Sequence, residues 1–428
     1  MTVNEEEAAP IGEGSPPRPV GEERWPWILL GLGLFGVGVA SWRAVPAGVW
    51  HDDGTYMLIG KALAGGHGFS YEGVAGAPPA TKFPPVYPLS LAAIWIVTRT
   101  IGPATLVATF LNIGFVAAAG ALFGRLLHRT AGLPLGLSLI VAAAGFASTD
   151  VVRTALVPLS EPLFLVLLVL ALAQWSRVAD AIGEVDATGW RALAVPALLL
   201  LVVVATRSAG LALVVAFGAA LVLPRPSLPR LSAAAVVTGP ALLFVLAWGR
   251  WSGAATERIP EGARDLLGPY QGWLADQVLS APAVFLADLP SHAAGVFGRA
   301  IALLVPGLVG TPMWIVGGAL LGLAAIGTTS LIRRAPPLGW LVIAYLAMLL
   351  LWPYLDRRLL VPLHPVLLAT IAVGGLRLSE RISTEASRKA LLAAGWGNCL
   401  GGGTAKCCSF SSTRTKRPSL PSSLIPPM

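Results

Sequence analysis

The stretch Pro84–Val97, PPVYPLSLAAIWIV, decides how the rest of the chain is read. It is apolar enough to enter a membrane, yet shorter than the roughly 20 residues a helix needs to cross one. The surrounding composition calls for a membrane. Of 428 residues, 55% are hydrophobic and 12% charged, whereas soluble domains carry about 25% charged residues. Such a chain cannot cover a water-facing surface and reads as an integral membrane protein with several spans. Its net charge of +8 then reflects Lys and Arg gathered in cytoplasmic loops, not a nucleic-acid partner.

Ten other stretches read as spans: 25–42, 104–124, 132–148, 161–175, 192–206, 208–223, 231–248, 312–332, 338–352 and 359–378. A second stretch, 293–310, is as ambiguous as 84–97. If both were full spans, the first alone would reverse everything after it, and RLLHR (125–129) and PRPSLPR (224–230) would face outward. If both lie at the interface, these two, the 176–191 loop and IRRAPP (332–337) all face the cytoplasm, as the positive-inside rule requires. The expected architecture is therefore an all-α polytopic membrane protein. It has about ten transmembrane helices, two juxtamembrane helices in outer loops, and both ends inside.

Residues 1–24, acidic and rich in Pro and Gly, read as a disordered cytoplasmic leader. Residues 25–378 read as the transmembrane domain, with long outer loops at 43–103 and 249–311. The tail, 379–428, reads as disordered; its Ser, Lys and Cys depart from the body's composition as an out-of-frame extension would. It holds all three cysteines, Cys399, Cys407 and Cys408, at a spacing that matches no zinc site. GLGLFG (31–36) reads as span packing, because no strand precedes it.

This topology brings the scarce charges to one face. HDDGTY (51–56), Arg153, Glu161, Arg207 and YLDRR (354–358) all fall outside. A charge costs about 2.5–3.5 kcal/mol at mid-bilayer, so a group of them at one interface reads as a site. The stretch DGTYMLIGKALAGG predicts an amphipathic helix lying on the membrane, with Tyr56, Leu58, Ile59, Ala62 and Leu63 as its apolar stripe. Asp52 and Asp53 stand at its N-terminus, where the helix dipole favours negative charge; an Asp N-cap is the plain structural reading. The functional reading makes one carboxylate a general base whose acidic neighbour raises its basicity. Lys82, Arg153, Arg207, Arg357 and Arg358 are cations on the same face, suited to a phosphate leaving group. His51 beside the pair leaves a divalent metal at Asp52 and Asp53 open as a third use. No other metal site and no cofactor is identified, and His364 beside Pro365 reads as packed.

The pattern DDGTYMLIGKALAGGHGF…TKFPPVYPLSLA, then LVPLSEPLFLVLLVLAL, then YLDRRLLVPLHPVLL resembles the GT-C membrane glycosyltransferases. Within them it is similar to the group of protein O-mannosyltransferases and the lipid A aminoarabinose transferase. The resemblance covers 25–378 as architecture and is close in 50–92, 157–163 and 354–365. It implies a sugar donor linked to polyprenyl phosphate and a lipid, protein or polysaccharide acceptor. It also implies a place in the plasma (inner) membrane with the active site outward. Asp52, followed four residues later by Tyr56, matches the family's catalytic aspartate, and Asp53 its acidic partner. Lys82 and Arg357 or Arg358 match residues near the donor phosphate, and Glu161 an acidic residue opening a span. Tyr56, Arg153 and Arg207 would support them. The chain departs from the family in showing no large C-terminal soluble domain and no acceptor signature in 250–292. Two readings from other classes remain. A transporter or flippase for lipid-linked sugars would need polar span centres; a non-catalytic membrane assembly protein would be marked by loss of the acidic pair or Lys82.

Overall fold

The computed structural model describes residues 24–183, 191–223, 225–269, 280–352 and 356–400. Their regular structure is helical, apart from an isolated bridge between Ser70 and Pro79. The α-helices, in chain order, are α1 (Trp25–Ser41), α2 (Asp52–Ala64), α3 (Val86–Thr98), α4 (Ile101–Leu126), α5 (Leu135–Phe146) and α6 (Thr149–Ala155). They continue with α7 (Glu161–Leu172), α8 (Trp175–Gly183), α9 (Ala194–Thr206), α10 (Leu211–Val222) and α11 (Leu228–Thr256). The last are α12 (Arg264–Leu267), α13 (Pro282–Leu304), α14 (Gly310–Arg334), α15 (Pro336–Leu351) and α16 (His364–Leu400).

All ten expected spans fall on helices, but their lengths differ. Among the described residues four helical segments are long and apolar enough to cross a membrane: Ile101–Ala131, Glu161–Ile182, Leu228–Thr256 and Gly310–Arg334. The α5–α6 pair, bent by 59°, would be a fifth. Helices α1, α9 and α15 and the segment Ser208–Val222 are apolar but no longer than 17 residues. At 1.5 Å per residue they reach about 20–26 Å, short of the roughly 30 Å hydrocarbon core. The protein is multi-pass; helix length alone does not carry the count to ten. The ambiguous stretch at 84–97 forms α3, 13 residues long, and 293–310 belongs mostly to α13, which begins earlier, at Pro282.

The chain divides into two units, Met1–Arg377 and Leu378–Met428. Helix α16 runs to Leu400 through residues that read as tail. SERISTEASRKALLAA (379–394) is rich in good helix formers, which a composition argument for disorder overlooks. The leader 1–23 and residues 401–428 lie outside the described residues, as do Pro353, Tyr354 and Leu355.

Within the first unit, α4 packs between α1 and α7, and α10 packs against α15 and α11. Their apolar faces form the main core, with Phe123, Phe146, Phe164 and Phe217 fully buried. The loops at 43–103 and 249–311 build a smaller second core from Tyr56, Met57, Ile59, Tyr71, Phe83, Tyr87, Leu91, Trp95, Ile259 and Leu267. Full burial of each such large side chain contributes about 1.5–3 kcal/mol, enough to hold the loops as structure. Helix α2 therefore packs on α3 and does not lie with its stripe on the membrane. Its buried face is Asp53, Tyr56, Met57, Ile59, Gly60 and Ala62, while Leu58 of the expected stripe is 40% exposed. Gly60 is needed there, since a β-carbon would stand 2.8 Å from Leu91 Cβ. Trp95 Nε1 donates to the Met57 carbonyl at 3.0 Å and fixes the register of the two helices.

Candidate functional site

Helix α2 begins in an unusual turn. His51 has φ 62° and ψ −56°, and the Asp52 N–H donates to the Trp50 carbonyl at 2.6 Å. That is a γ-turn of the strained hand, rare for a residue with a β-carbon. Asp53, completely buried, holds it. One carboxylate oxygen accepts from the Gly48 N–H at 2.8 Å and the other from the Trp50 N–H at 3.0 Å. Gly54 lets the loop come this close, because a β-carbon there would meet Gly48 Cα at 2.9 Å. The acidic pair is thus split by its first turn: Asp53 faces the loop backbone and Asp52 faces a cavity. The N-cap position falls to His51, whose side chain caps nothing.

The cavity encloses about 600 Å³, and its wall includes His51, Asp52, Tyr56, Lys82, Arg207, Asp265, Asp356 and Arg358. Asp52 pairs with Arg358 Nη2. Arg358 Nε also lies 3.2 Å from Glu161, and Arg207 Nη1 lies 2.9 Å from the same carboxylate oxygen. Glu161 is fully buried at the first residue of α7, where the helix dipole adds to the two guanidinium charges. Its contacts with them are ionic, without aligned hydrogen bonds. Ser160 Oγ receives Arg207 Nη1 at 2.9 Å and sits 3.0 Å from the Tyr56 hydroxyl. The network therefore runs from Asp52 through Arg358 and Glu161 to Arg207, Ser160 and Tyr56.

Burial opposes the Arg358 charge, but Glu161 and Asp52 outweigh it and raise the pKa of the guanidinium. Burial pushes the Tyr56 phenol well above its ordinary value, so its hydroxyl stays protonated. Lys82 reaches in from the loop before α3, its Nζ donating to the Leu266 carbonyl at 3.0 Å. Burial lowers its pKa, with Asp52 opposing and Arg358 adding to the shift. The loop after α11 closes this side. The Leu267 carbonyl accepts from the Tyr71 hydroxyl at 3.0 Å and from Thr81 Oγ1 at 3.3 Å. Together these three bonds set α12 and Asp265 over the cavity.

The expected site residues divide. Asp52, Tyr56, Lys82, Arg207 and Arg358 line the cavity, with Glu161 pairing two of them from behind. Arg357 turns away to Asp150 Oδ2, at 2.8 Å, and the Ala302 carbonyl, at 3.3 Å. Arg153 is exposed on α6 and is not part of the cavity wall. Sequence reading did not single out Ser160, Asp265 or Asp150. Ser160, in SEP, was the one with a visible signal, a hydroxyl beside the carboxylate that opens α7.

Among the described residues no three His, Cys, Asp or Glu side chains stand together as a metal set. Asp53 spends both oxygens on backbone amides and Asp52 faces Arg358. The residues present do not form a shared cation site at the acidic pair, and no step is routed through a metal.

A second, apolar groove of about 380 Å³ continues from the cavity between α9, α10, α11 and α15. Val215, Phe244, Trp248, Ala344 and Leu351 line it. Lys82, Pro84, Ser208, Met348 and Trp352 belong to both walls, so the charged cavity opens directly onto hydrocarbon-like surface.

No family model matches the chain, and no curated protein matches it. Among solved structures it is similar to the archaeal oligosaccharyltransferase AglB of Archaeoglobus fulgidus, in complex with an inhibitory peptide and a dolichol-phosphate. That similarity is at 15% identity and a TM-score of 0.47, over 90% of this chain and 53% of that one. The Archaeoglobus fulgidus oligosaccharyltransferase with Zn and sulfate gives 14% identity and 0.47, over 86% and 51%. The same enzyme tethered to an acceptor peptide gives 14% and 0.45, over 85% and 51%. The chain spans about half the length of these structures. Overlap at this level transfers no residue role and no activity.

Proposed function

We propose that the protein is a GT-C-type glycosyltransferase that moves a sugar from a polyprenyl-phosphate donor to an acceptor at the outer face of the plasma membrane. The observation that carries this reading is the union of two spaces: a cavity with Asp52, Lys82 and Arg358 in its wall, and an apolar groove sharing five of its wall residues. A phosphate linked to an isoprenoid needs both at once, cations for one end and hydrocarbon for the other. The sequence resemblance supports the same reading. In this topology the ten helical stretches are spans, and the 43–103 and 249–311 loops face outward.

In the proposed reaction Asp52 takes the proton of the acceptor hydroxyl or amine. The acceptor atom bonds to the anomeric carbon as the bond from that carbon to the phosphate oxygen breaks. The leaving phosphate gains charge next to Lys82 and Arg358, where fixed cations stabilise the transition state most. Arg358 is held by Asp52 before the donor arrives. A donor phosphate that draws Arg358 to itself would release Asp52 as a base. Asp53 is a positioning residue that sets the turn before α2. Arg357, engaged elsewhere, takes no part, and neither does Arg153.

Membranes holding Asp52→Asn, given a panel of polyprenyl-phosphate sugars, should transfer label at least about 100-fold more slowly than wild type, the usual scale of a lost general base. Wild-type rates in that variant would overturn the assignment.

A further inference from the structure

A separate cavity of about 360 Å³ lies at the opposite end of α2 from Asp52, lined by Lys61, His67, Glu72, Trp95, Ile96 and Arg99 among others. It shares no wall residue with the cavity of Asp52. Its basic groups come from three places: the last turn of α2, the loop after it, and the residue that ends α3. Glu72 is stationed between two of them, 3.4 Å from Lys61 Nζ and 3.3 Å from His67 Nδ1. Arg99 takes a left-handed backbone conformation, φ 59°, with its N–H on the Trp95 carbonyl at 2.9 Å. A side chain with a β-carbon resists that conformation; here Arg99 takes it within the cavity wall.

Basic residues at helix C-termini can simply offset the dipole. That account covers Lys61 or Arg99 singly. It does not explain why both line one volume together with the carboxylate that Lys61 pairs, nor what lies beside it. Ile96 and Val97 of α3 are 63% and 81% exposed, so apolar side chains flank the charged wall. Apolar surface beside fixed cations matches the boundary between acyl chains and head groups. Lys61 and Arg99 set against Glu72 supply one more fixed positive charge than negative, the complement of a single phosphodiester.

We infer that this cavity binds the head group of an anionic glycerophospholipid, its phosphate on Lys61 and Arg99 and a head-group hydroxyl donating to Glu72. The site is independent of the proposed transfer reaction and stands or falls without it.

Native mass spectrometry of the full-length chain in detergent, mixed with phosphatidylglycerol or phosphatidylcholine, tests the inference. One phosphatidylglycerol should bind at least about tenfold more tightly than phosphatidylcholine, the scale of one or two basic residues acting on an anionic lipid. The double variant Lys61→Gln/Arg99→Gln should lose that preference. Lys61→Gln alone, at a side chain 51% exposed, should weaken it with the fold intact by thermal unfolding. Equal binding of the two lipids, or an unchanged preference in the double variant, would overturn the inference. Displacement of the lipid by millimolar inorganic phosphate would also overturn it, since the cavity would then read phosphate and not a lipid.

Discussion

Two ion pairs of the same chemistry diverge from one short turn. Arg357 and Arg358 are neighbours, yet Arg358 pairs with Asp52 in the cavity wall and Arg357 with Asp150 at the start of α6. Asp356 opens the turn by accepting the Arg358 N–H at 2.8 Å, and the two side chains leave in different directions. The Asp52–Arg358 side chains are 13% and 16% exposed, with buried Glu161 behind them; Asp150 and Arg357 are 21% and 41% exposed. An exposed pair is screened and contributes about 0–1 kcal/mol. In a buried network, removing one partner leaves a charge that neither water nor protein compensates. Position in the fold, not residue type, separates a site from a surface contact.

The contrast can be broken from the buried side first. Glu161→Gln removes the charge that Arg207 and Arg358 share, and should cost about 3–5 kcal/mol, read as thermal or denaturant unfolding in detergent. A loss below about 1 kcal/mol would mean that water reaches the network. Arg358→Gln should lower sugar transfer by about 10²–10³-fold, the effect of losing one preorganised transition-state donor.

Lys82 sharpens the comparison by pH. Its pKa lies below the usual 10.5 because burial disfavours the ammonium. The charge is lost as pH rises through that lowered value. Donor KM should therefore climb with pH before an ordinary lysine would titrate, and Lys82→Arg should abolish the climb. Parallel pH profiles would remove Lys82 from the donor site. The smallest effect belongs to Arg357→Gln: about 0–1 kcal/mol in stability, with transfer near wild type. If it matched Arg358→Gln in the transfer assay, the division between the two arginines would be wrong.

Much of this was legible in the sequence for a simple reason. Apolar runs must be helical in a membrane, because an unpaired backbone amide there costs several kcal/mol. The helices accordingly fall on all ten expected stretches. Their ends were less legible: breaks at Pro336 and around Arg207 leave helices too short to count as crossings by length. In α2 the helix and part of its buried face, Tyr56, Ile59 and Ala62, follow from periodicity; the rest of that face does not. Periodicity alone could not tell Leu58, exposed, from Met57 and Gly60, which α3 covers. Arg153 shares with Glu161 only the segment between two apolar runs, and such a segment is not a location to within a side chain's reach.

The sequence by itself determined a helical, multi-pass chain with its scarce charges kept to the segments between apolar runs, since solvation energy acts on each residue according to its type. Only the tertiary structure decided which of those charges meet. It split Asp52 from Asp53 through a strained turn and Arg357 from Arg358 through a short helical one. It also brought Lys82 and Arg207 to one wall from separate elements, with Glu161 paired to Arg207 behind it. Electrostatic pairing falls off over a few ångströms, and distances that short are set by packing between helices far apart in the chain.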